Sequence, residues 1–252
     1  MKSISESSAH GPTTPPEKPC HAALVIFSGG QDSATCLAWA LEHFAKVSTL
    51  GFDYGQRHQV EMACRLVLLQ NIPRMKAEWK SAYTQDHIIT TDFFHTLGNN
   101  ALVQEQAIVT QETGLPNTFV PGRNLLFLSL AAAYAYSLGI SNLVMGVCET
   151  DSSGYPDCRD DAVKAMQVAL NIGMDAHFTV HTPLMWLNKA ETWNLAHRLG
   201  GTELVDCIVE QSHTCYLGER SQRHAWGYGC GQCPACKLRA AGYERYCQMS
   251  SL

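Results

Sequence analysis

The sequence predicts an α/β protein built on a doubly wound parallel sheet, with a four-cysteine zinc-binding segment at its C-terminus. Strand-like apolar runs alternate with segments whose apolar residues recur at helical spacing, a pattern typical of parallel sheets covered on both faces. The first strand leads into a Gly-Gly turn, and four of the eleven cysteines cluster late in the chain. The 252 residues, 46% of them hydrophobic, are enough to bury a substantial core.

Residues 1–20 are expected to form a disordered extension without chemistry. They contain four serines and four of the ten prolines, and they have little apolar content. Such a segment buries too little apolar surface to offset the entropy lost on ordering.

The first strand, at 24–27, ends in the turn SGGQDS at 28–33, and a helix is predicted at 34–44. Glycine lets the backbone come close to a ligand, and the N–H groups of a helix N-terminus form an anion site. The turn contains neither the Gly-Lys-Ser/Thr of one known phosphate loop nor the G-x-G-x-x-G of dinucleotide folds. We therefore predict a phosphate or pyrophosphate loop of another type.

The second unit is predicted as a strand at 47–53 and a helix at 59–70, joined by FDYGQRH at 52–58. Ligands of parallel sheets bind beyond the carboxyl ends of the strands, so this junction and the SGGQDS turn should face one site. Crossovers between the parallel strands should be right-handed.

Residues 72–118 give weaker signals. Ile88 and Ile89 fit a third strand, and Asp92 is placed to cap a short helix. Residues 99–118 are predicted to form a long loop, of the kind that often serves as a lid or a binding loop.

The strongest helical pattern runs from 124 to 138 and is apolar almost all round, so this helix should be buried. Arg123 stands at its start. A strand at 142–148 then leads into a loop containing GYPDCR at 154–159. The remaining elements are predicted as a helix at 160–171, a strand near 177–181 and a helix at 189–199.

The C-terminal cysteines have metal-ligand spacing, since Cys215 precedes the run Cys230-x-x-Cys233-x-x-Cys236. Zinc in structural sites is bound by four thiolates in a tetrahedron with Zn–S near ~2.3 Å. Three cysteines at this spacing would also suit an iron–sulfur cluster, but a fourth ligand and the absence of a redox motif favour zinc. We predict a closed structural zinc site. Cys36, Cys64 and Cys207 stand among apolar residues and are interpreted as packing residues.

Several of these motifs resemble those of known enzymes. The SGGQDS turn resembles the pyrophosphate loop of the ATP pyrophosphatases. Together with FDYGQRH, VPGRN at 120–124, GYPDCR and the four cysteines, it resembles the 7-cyano-7-deazaguanine synthase family. The resemblance covers about residues 23–240. The N-terminal extension departs from the family pattern, and the Cys215–Cys230 spacer is longer than in some members.

The resemblance implies an ATP-dependent ligase that converts 7-carboxy-7-deazaguanine and ammonia to 7-cyano-7-deazaguanine in queuosine biosynthesis. Adenylation would turn the carboxylate oxygen into a leaving group, ammonia would form the amide, and a second activation would give the nitrile. The implied cofactors are ATP, Mg²⁺ and zinc. No glutaminase domain fits in this length, so free ammonia is the expected nitrogen donor, and the family suggests a homodimer.

The resemblance also implies roles for individual residues. Asp32, Arg123 and Arg159 are expected to be catalytic, with Asp32 helping to position Mg²⁺ and Arg123 neutralising phosphate charge. Gln56, Asp157 and Arg159 are expected to bind the substrate, Arg159 as a bidentate clamp on its carboxylate. The ATP loop is expected to comprise Phe27, Ser28, Gly29, Gly30, Gln31, Asp32, Ser33, Ala34, Thr35, Cys36 and Leu37.

Two other classes of function compete with this one. Another pyrophosphate-loop ligase, such as a tRNA thiolase, would need a catalytic cysteine pair, for which Cys148 and Cys158 are available. A non-enzymatic zinc-knot module would leave the pyrophosphate loop unexplained. The net charge of −5 and the absence of long Lys/Arg runs argue against a nucleic-acid partner.

The expected organisation is an extension at 1–20, an ATP-binding catalytic domain at 21–205 and a zinc-binding segment at 206–252 packed on it. No apolar run reaches the length of a membrane span, so no membrane partner is expected. The start of the chain lacks the pattern of a signal peptide, which predicts a cytoplasmic protein.

Overall fold

A five-stranded parallel sheet organises the computed structural model, which describes residues 21–55, 60–91, 119–150 and 155–250. The strands of the sheet are β1 (Ala22–Ile26), β2 (Lys46–Asp53), β3 (Tyr83–Thr90), β4 (Asn142–Val144) and β5 (Thr179–His181). They pair in the order β3-β2-β1-β4-β5. The chain moves outward from β1 through β2 to β3 and then continues on the other side of β1. The switch point of the sheet, where ligands of such folds bind, therefore lies between β1 and β4.

Helices cover both faces of this sheet, as the sequence predicts. They are α1 (Gln31–His43), α2 (Val60–Asn71), α3 (Ala77–Ala82), α4 (Arg123–Ser137), α5 (Asp160–Gly173), α6 (Lys189–Gln211) and α7 (Pro234–Ser250). Side chains of β1 alternate between two cores. Ala23 and Val25 pack in the core that contains α1 and α6. Leu24 packs in the core formed with α4 and α5.

The predicted elements are present, and some of their bounds differ. Helix α1 begins at Gln31, three residues earlier than predicted, because the extended backbone of Gly30 caps it directly. Strand β3 includes the predicted Ile88 and Ile89, and β4 is shorter than predicted. The predictions for residues 1–20, Asp92 and 99–118 lie outside the described residues.

The C-terminal third has more helix than the sequence analysis predicted. Helix α6 continues to Gln211 through a kink at Gly201, whose φ of 65° is left-handed. Helix α7 and a short antiparallel pair, β6 (Arg223–His224) and β7 (Gly227–Tyr228), were not predicted. The domain boundary expected at residue 205 falls inside α6, and the division of the chain into domains stays a prediction.

Helix α4 is not buried on all sides, contrary to the prediction. Its buried side chains are Leu128, Ala131, Ala132 and Ala135, which share the face against the sheet. Tyr136, on the flank of this face, is 59% exposed. The helix packs one face on the sheet, most of its other residues are half-buried, and Tyr136 and Ser137 at its end are exposed. Apolar composition all round therefore overstated its burial.

One fully buried cation ties three elements together near the carboxyl end of β1. Arg65 of α2 donates from Nε to the carbonyl oxygen of Phe27 at 2.9 Å. Its Nη1 donates to Oδ2 of Asp86 on β3 at 2.7 Å, and its Nη2 contacts Oδ1 of the same carboxylate. A Cβ at position 51 would clash with this guanidinium, so β2 requires glycine there. The arginine thus fixes α2 against the end of β1.

None of the described helices is both long and apolar enough to cross a bilayer.

Replacing Asp86 with Ala should leave the Arg65 guanidinium buried without a counter-charge. We expect the free energy of unfolding to fall by about 3–5 kcal/mol in urea denaturation. The control is Lys164→Ala, which removes the exposed pair with Asp160 one turn away on α5 and should cost about 0.5 kcal/mol or less. Equal losses in the two variants would contradict the role given to the buried pair.

Candidate functional site

A cavity of about 340 Å³ opens at the switch point of the sheet. Its walls combine the turn after β1 with the start of α1, residues 145–147 after β4, Tyr54 after β2, the first residues of α2 and α4, and residues 213–216. The predicted Ser28, Asp32 and Arg123 all line it. The turn after β1 and the junction after β2 therefore face one site, as the sequence predicts.

The turn is held in shape by its own hydroxyl groups. The Ser33 hydroxyl accepts from the N–H of Gly29 and donates to the carbonyl of Gly30, both at 3.1 Å. The Ser28 hydroxyl accepts from the N–H of Gly30 at 3.3 Å. The φ of Gly29 is +96°, and a Cβ there would lie 2.9 Å from the carbonyl oxygen of Glu61. This compact turn presents the N-terminus of α1 to the cavity, which suits an anion.

Asp32 is paired with a lysine that the sequence analysis missed. Lys189 Nζ donates to both carboxylate oxygens of Asp32, at 3.0 and 2.8 Å. The lysine is the first residue of α6, whose start is fixed by a capping box between Asn188 and Glu191. A positive and a negative group therefore lie side by side at the turn of residues 28–33, which is called the phosphate turn below after its predicted ligand.

Arg123 reaches the cavity from the first turn of α4. Its Nε is buried and has no hydrogen-bond partner among the residues that the structure describes. Burial acts to lower the pKa of this guanidinium, but Tyr54, Tyr155 and nearby Asp157 raise it overall, so the charge is retained. A buried cation with an unused donor is suited to an anionic ligand.

Glu61 is a second charged residue that the sequence analysis missed. It lies in the first turn of α2, lines the cavity and is hydrogen-bonded to Ser28. Burial raises the pKa of its carboxyl to about 7, although Ser28 and Arg123 act to lower it. An acidic residue in a first helical turn usually complements the helix dipole, so its sequence position alone did not indicate a site residue.

The remaining residues of the predicted ATP loop lie partly at the cavity and partly behind its wall. Gln31 lines the cavity and is only 3% exposed, and within the described part of the chain its side-chain amide has no hydrogen-bond partner. Ala34, Thr35, Cys36 and Leu37 are buried in α1 beyond the cavity wall. Their role in nucleotide binding stays a prediction.

The predicted substrate-binding residues are not brought into this cavity by the described structure. Asp157 is buried, and its Oδ2 accepts from the N–H of Asn124 at the start of α4 at 2.9 Å. Arg159 is exposed at the N-terminus of α5. Neither residue is among those that line the cavity, and Gln56 lies outside the described residues.

The four predicted metal ligands, by contrast, come together. The sulfur atoms of Cys215, Cys230, Cys233 and Cys236 all lie within 4.8 Å of one another. Sγ of Cys230 accepts from the N–H groups of Gln232 at 3.4 Å and Cys233 at 3.3 Å. Four sulfurs at the ~2.3 Å Zn–S distance stand roughly 3.8 Å apart, so a small contraction would close the site on zinc. The set fits a structural zinc ion and leaves no open position.

The cysteine segment contacts the phosphate turn directly. The N–H of His213 donates to the carbonyl of Gly29 at 3.3 Å, and its Nε2 donates to the carbonyl of Cys215 at 3.1 Å. Arg239 of α7 is fully buried and donates to Ser212 and Thr214 at 2.8 Å. Burial lowers the pKa of this guanidinium to about 10. The metal-binding segment therefore forms one wall of the cavity.

Fold and site together define an α/β protein with a five-stranded parallel sheet, a cavity at its switch point and a C-terminal four-cysteine cluster. The family model described as "Queuosine biosynthesis protein QueC" matches residues 22–247. The chain is 61% identical over 224 residues to a 7-cyano-7-deazaguanine synthase of Nitrobacter hamburgensis, covering 89% of this chain and 94% of that protein. It is 58% identical over 228 residues to one of Azorhizobium caulinodans, covering 90% and 95% respectively. The chain therefore belongs to the QueC family of queuosine biosynthesis.

A solved structure of NMN synthetase from Francisella tularensis aligns with 90% of this chain and 85% of its own, at 13% identity and a TM-score of 0.41. That likeness is too distant to add to the family assignment.

The purified chain should carry about one zinc ion, as a closed four-thiolate site does. Cys233→Ala should lose the ion and loosen the C-terminal segment, because metal binding in such sites is largely folding energy. Elemental analysis and thermal unfolding would measure both effects. The control is Cys247→Ala, which removes an exposed cysteine of α7 outside the cluster. Full zinc content in both Cys233→Ala and Cys236→Ala would refute the four-thiolate site.

Proposed function

We propose that the chain uses ATP to convert 7-carboxy-7-deazaguanine and ammonia into 7-cyano-7-deazaguanine, through an adenylated carboxylate and an amide. The names of its relatives support the product. The observation that carries the ATP-dependent part is the serine-braced turn at the N-terminus of α1, facing a cavity with Arg123 and Lys189. Such a helix N-terminus binds phosphate through backbone N–H groups and the helix dipole.

The chemistry explains why an ATP site is needed. A carboxylate is a poor electrophile because its oxygen is a poor leaving group. Transfer of AMP to that oxygen makes it leave as a phosphate, and ammonia then attacks the carbonyl carbon to give the amide. A second AMP transfer to the amide oxygen lets it leave in turn, which produces the nitrile.

The charged residues of the cavity suit this sequence of steps. We assign Arg123 and Lys189 to the phosphates, where fixed cations stabilise charge that develops as the pyrophosphate leaves. Asp32 is the carboxylate within the turn itself and is assigned to Mg²⁺, which usually takes one or two carboxylates and binds phosphate oxygens as well. The ion would neutralise phosphate charge when bound. Lys189 holds Asp32 in place at this position.

Recognition of the deazaguanine base is assigned to a second group of residues. We keep Arg159, Asp157 and Gln56 as its candidates, on the strength of the family resemblance. Arginine matches a carboxylate bidentately and is exposed at position 159, so it is available to a ligand. Asp157 accepts from the N–H of Asn124 through Oδ2 and from the thiol of Cys158 through Oδ1, and each oxygen keeps a further lone pair for a ligand.

The proposal also includes a homodimer and a cytoplasmic location, as the family resemblance suggests. Two apolar side chains one turn apart on α5, Val168 and Ile172, are 56% and 78% exposed in the single chain. These two side chains offer an apolar surface for a second copy. Light scattering would report one or two chains per particle.

Replacing Asp32 with Ala should abolish turnover without unfolding the chain. We expect kcat for ATP-dependent product formation to fall by about 100-fold or more, because the lost contact acts on charge in the transition state. Ser28→Ala should act in the same direction by weakening the turn. The control is Asp161→Ala, which removes an exposed carboxylate of α5 outside the cavity. Wild-type turnover in Asp32→Ala would rule out this turn as the catalytic phosphate site.

A further inference from the structure

The proposed reaction makes an unusual demand on its site, because every proton must leave the nitrogen donor. Ammonium carries four N–H bonds, and the nitrile nitrogen of the product carries none. Both halves of the reaction therefore need a group that accepts protons from nitrogen. The departing AMP carries its negative charge on phosphate and needs no proton to leave. The site should therefore contain a base, and the phosphate-binding residues do not supply one.

Two carboxylates line the cavity among the residues that the structure describes, Asp32 and Glu61. Asp32 is engaged through both oxygens by the ammonium group of Lys189. Glu61 is hydrogen-bonded by the neutral hydroxyl of Ser28. A carboxylate that neutralises a lysine is a poor proton acceptor, whereas one bonded to a hydroxyl keeps lone pairs available. Glu61 is the better candidate for the base.

The position of Glu61 is fixed by the backbone. The first turn of α2 packs so closely on the phosphate turn that a Cβ on Gly29 would lie 2.9 Å from the Glu61 carbonyl oxygen. Arg65 lies one turn later on the same helix and is anchored to Phe27 and Asp86. The carboxyl group is thereby held beside the turn at which the activated carboxylate would form.

The surroundings of Glu61 poise it for proton transfer near neutral pH. The charged and titratable groups that act on it or that it acts on are Arg123 from α4, Tyr54 from the end of β2 and Cys64 from its own helix. Burial outweighs the attraction of Arg123 and raises the pKa of the carboxyl from 4.5 to about 7. A base with a pKa near the working pH both accepts and releases protons readily.

We propose that Glu61 is the catalytic base that deprotonates the nitrogen in both halves of the reaction, an inference that rests on the proposed function. In the first half, its carboxylate takes a proton from ammonium, and the freed lone pair attacks the carbonyl carbon of the acyl adenylate. The C–O bond to AMP breaks with its electron pair, and the added nitrogen loses a second proton to leave the amide. Glu61 passes each proton to solvent before it accepts the next.

The second half repeats the same proton transfer. After a second ATP has adenylated the amide oxygen, Glu61 takes the remaining N–H protons. The N–H electron pair becomes the third carbon–nitrogen bond as the C–O bond to AMP breaks. No oxidant or reductant takes part, and the products of this half are nitrile, AMP, the pyrophosphate released on adenylation, and protons passed to solvent.

The test separates nitrogen chemistry from adenylation in Glu61→Gln, which keeps the size of the side chain. ATP–pyrophosphate exchange with 7-carboxy-7-deazaguanine and no ammonium measures adenylation alone. We expect exchange within about threefold of wild type and formation of amide and nitrile from ammonium lowered by about 100-fold or more.

Hydroxylamine is mostly unprotonated at pH 7, whereas ammonia is mostly protonated. Hydroxylamine should therefore restore acyl transfer in the variant, with the hydroxamate as the product. Glu78→Gln removes an exposed acid in the first turn of α3 and is the matched control.

The outcomes are distinct. Loss of exchange together with amide formation would assign Glu61 to the phosphate turn and overturn the inference. Ammonium-dependent turnover near wild type in Glu61→Gln would overturn it as well. Absence of exchange and of product in wild type and in Glu78→Gln would overturn the proposed function itself, and the inference with it.

A second readout does not depend on activity. A carboxyl whose pKa is raised in the folded state stabilises the fold fully below pH 4.5 and loses that contribution as pH rises through about 7. The unfolding free energy of wild type should therefore fall relative to Glu61→Gln as the pH is raised from 5.5 to 8. A difference between the two proteins that does not vary with pH would show that the carboxyl is not poised as a base.

Discussion

The geometry of the site depends on the buried guanidinium of Arg65. It links α2 to the carbonyl of Phe27 at the end of β1 and to Asp86 on β3. Glycine is required at position 51, where a side chain would clash with the guanidinium, and at position 29, where α2 comes closest. Because Glu61 lies one turn before Arg65, the same anchor that holds the phosphate turn also sets the position of the base. The proposed phosphate site and the proposed base thus depend on the same buried arginine.

A second buried arginine, Arg239, holds the elements of the C-terminal segment together. Arg239 donates to the carbonyls of Ile208 at 3.0 Å and Trp226 at 2.9 Å, and so joins α6, α7 and the short β6–β7 pair. Its partners Ser212 and Thr214 flank His213, whose N–H donates to the phosphate turn. They also lie next to Cys215, which is one of the four cluster cysteines. Of the four cysteines, Cys215 lines the cavity itself, so the cluster adjoins the cavity wall. Metal binding should order that wall as well as the segment itself.

The features that could be predicted from the sequence are those that depend on a local pattern of residues. The SGGQDS turn, the alternation of strands and helices, and the spacing of the cysteines depend on neighbours in the chain. Lys189, Glu61 and Arg65 have no such signature, since each matters through a residue far away in sequence. The burial of α4 was overstated because composition does not show how many faces are covered. The continuation of α6 was missed because Gly200 and Gly201 interrupt the helical pattern, and the chain resumes the helix after one left-handed residue.

The central claim is that one cavity turns a carboxylate into a nitrile at the expense of ATP. The most direct measurement is mass spectrometry of the products that the whole chain forms from 7-carboxy-7-deazaguanine, ATP, Mg²⁺ and ¹⁵N-labelled ammonium. The account predicts a nitrile that has lost both carboxylate oxygens, carries one ¹⁵N atom and appears with two molecules of AMP. Unchanged carboxylate, or an amide that accumulates as the final product, would contradict it.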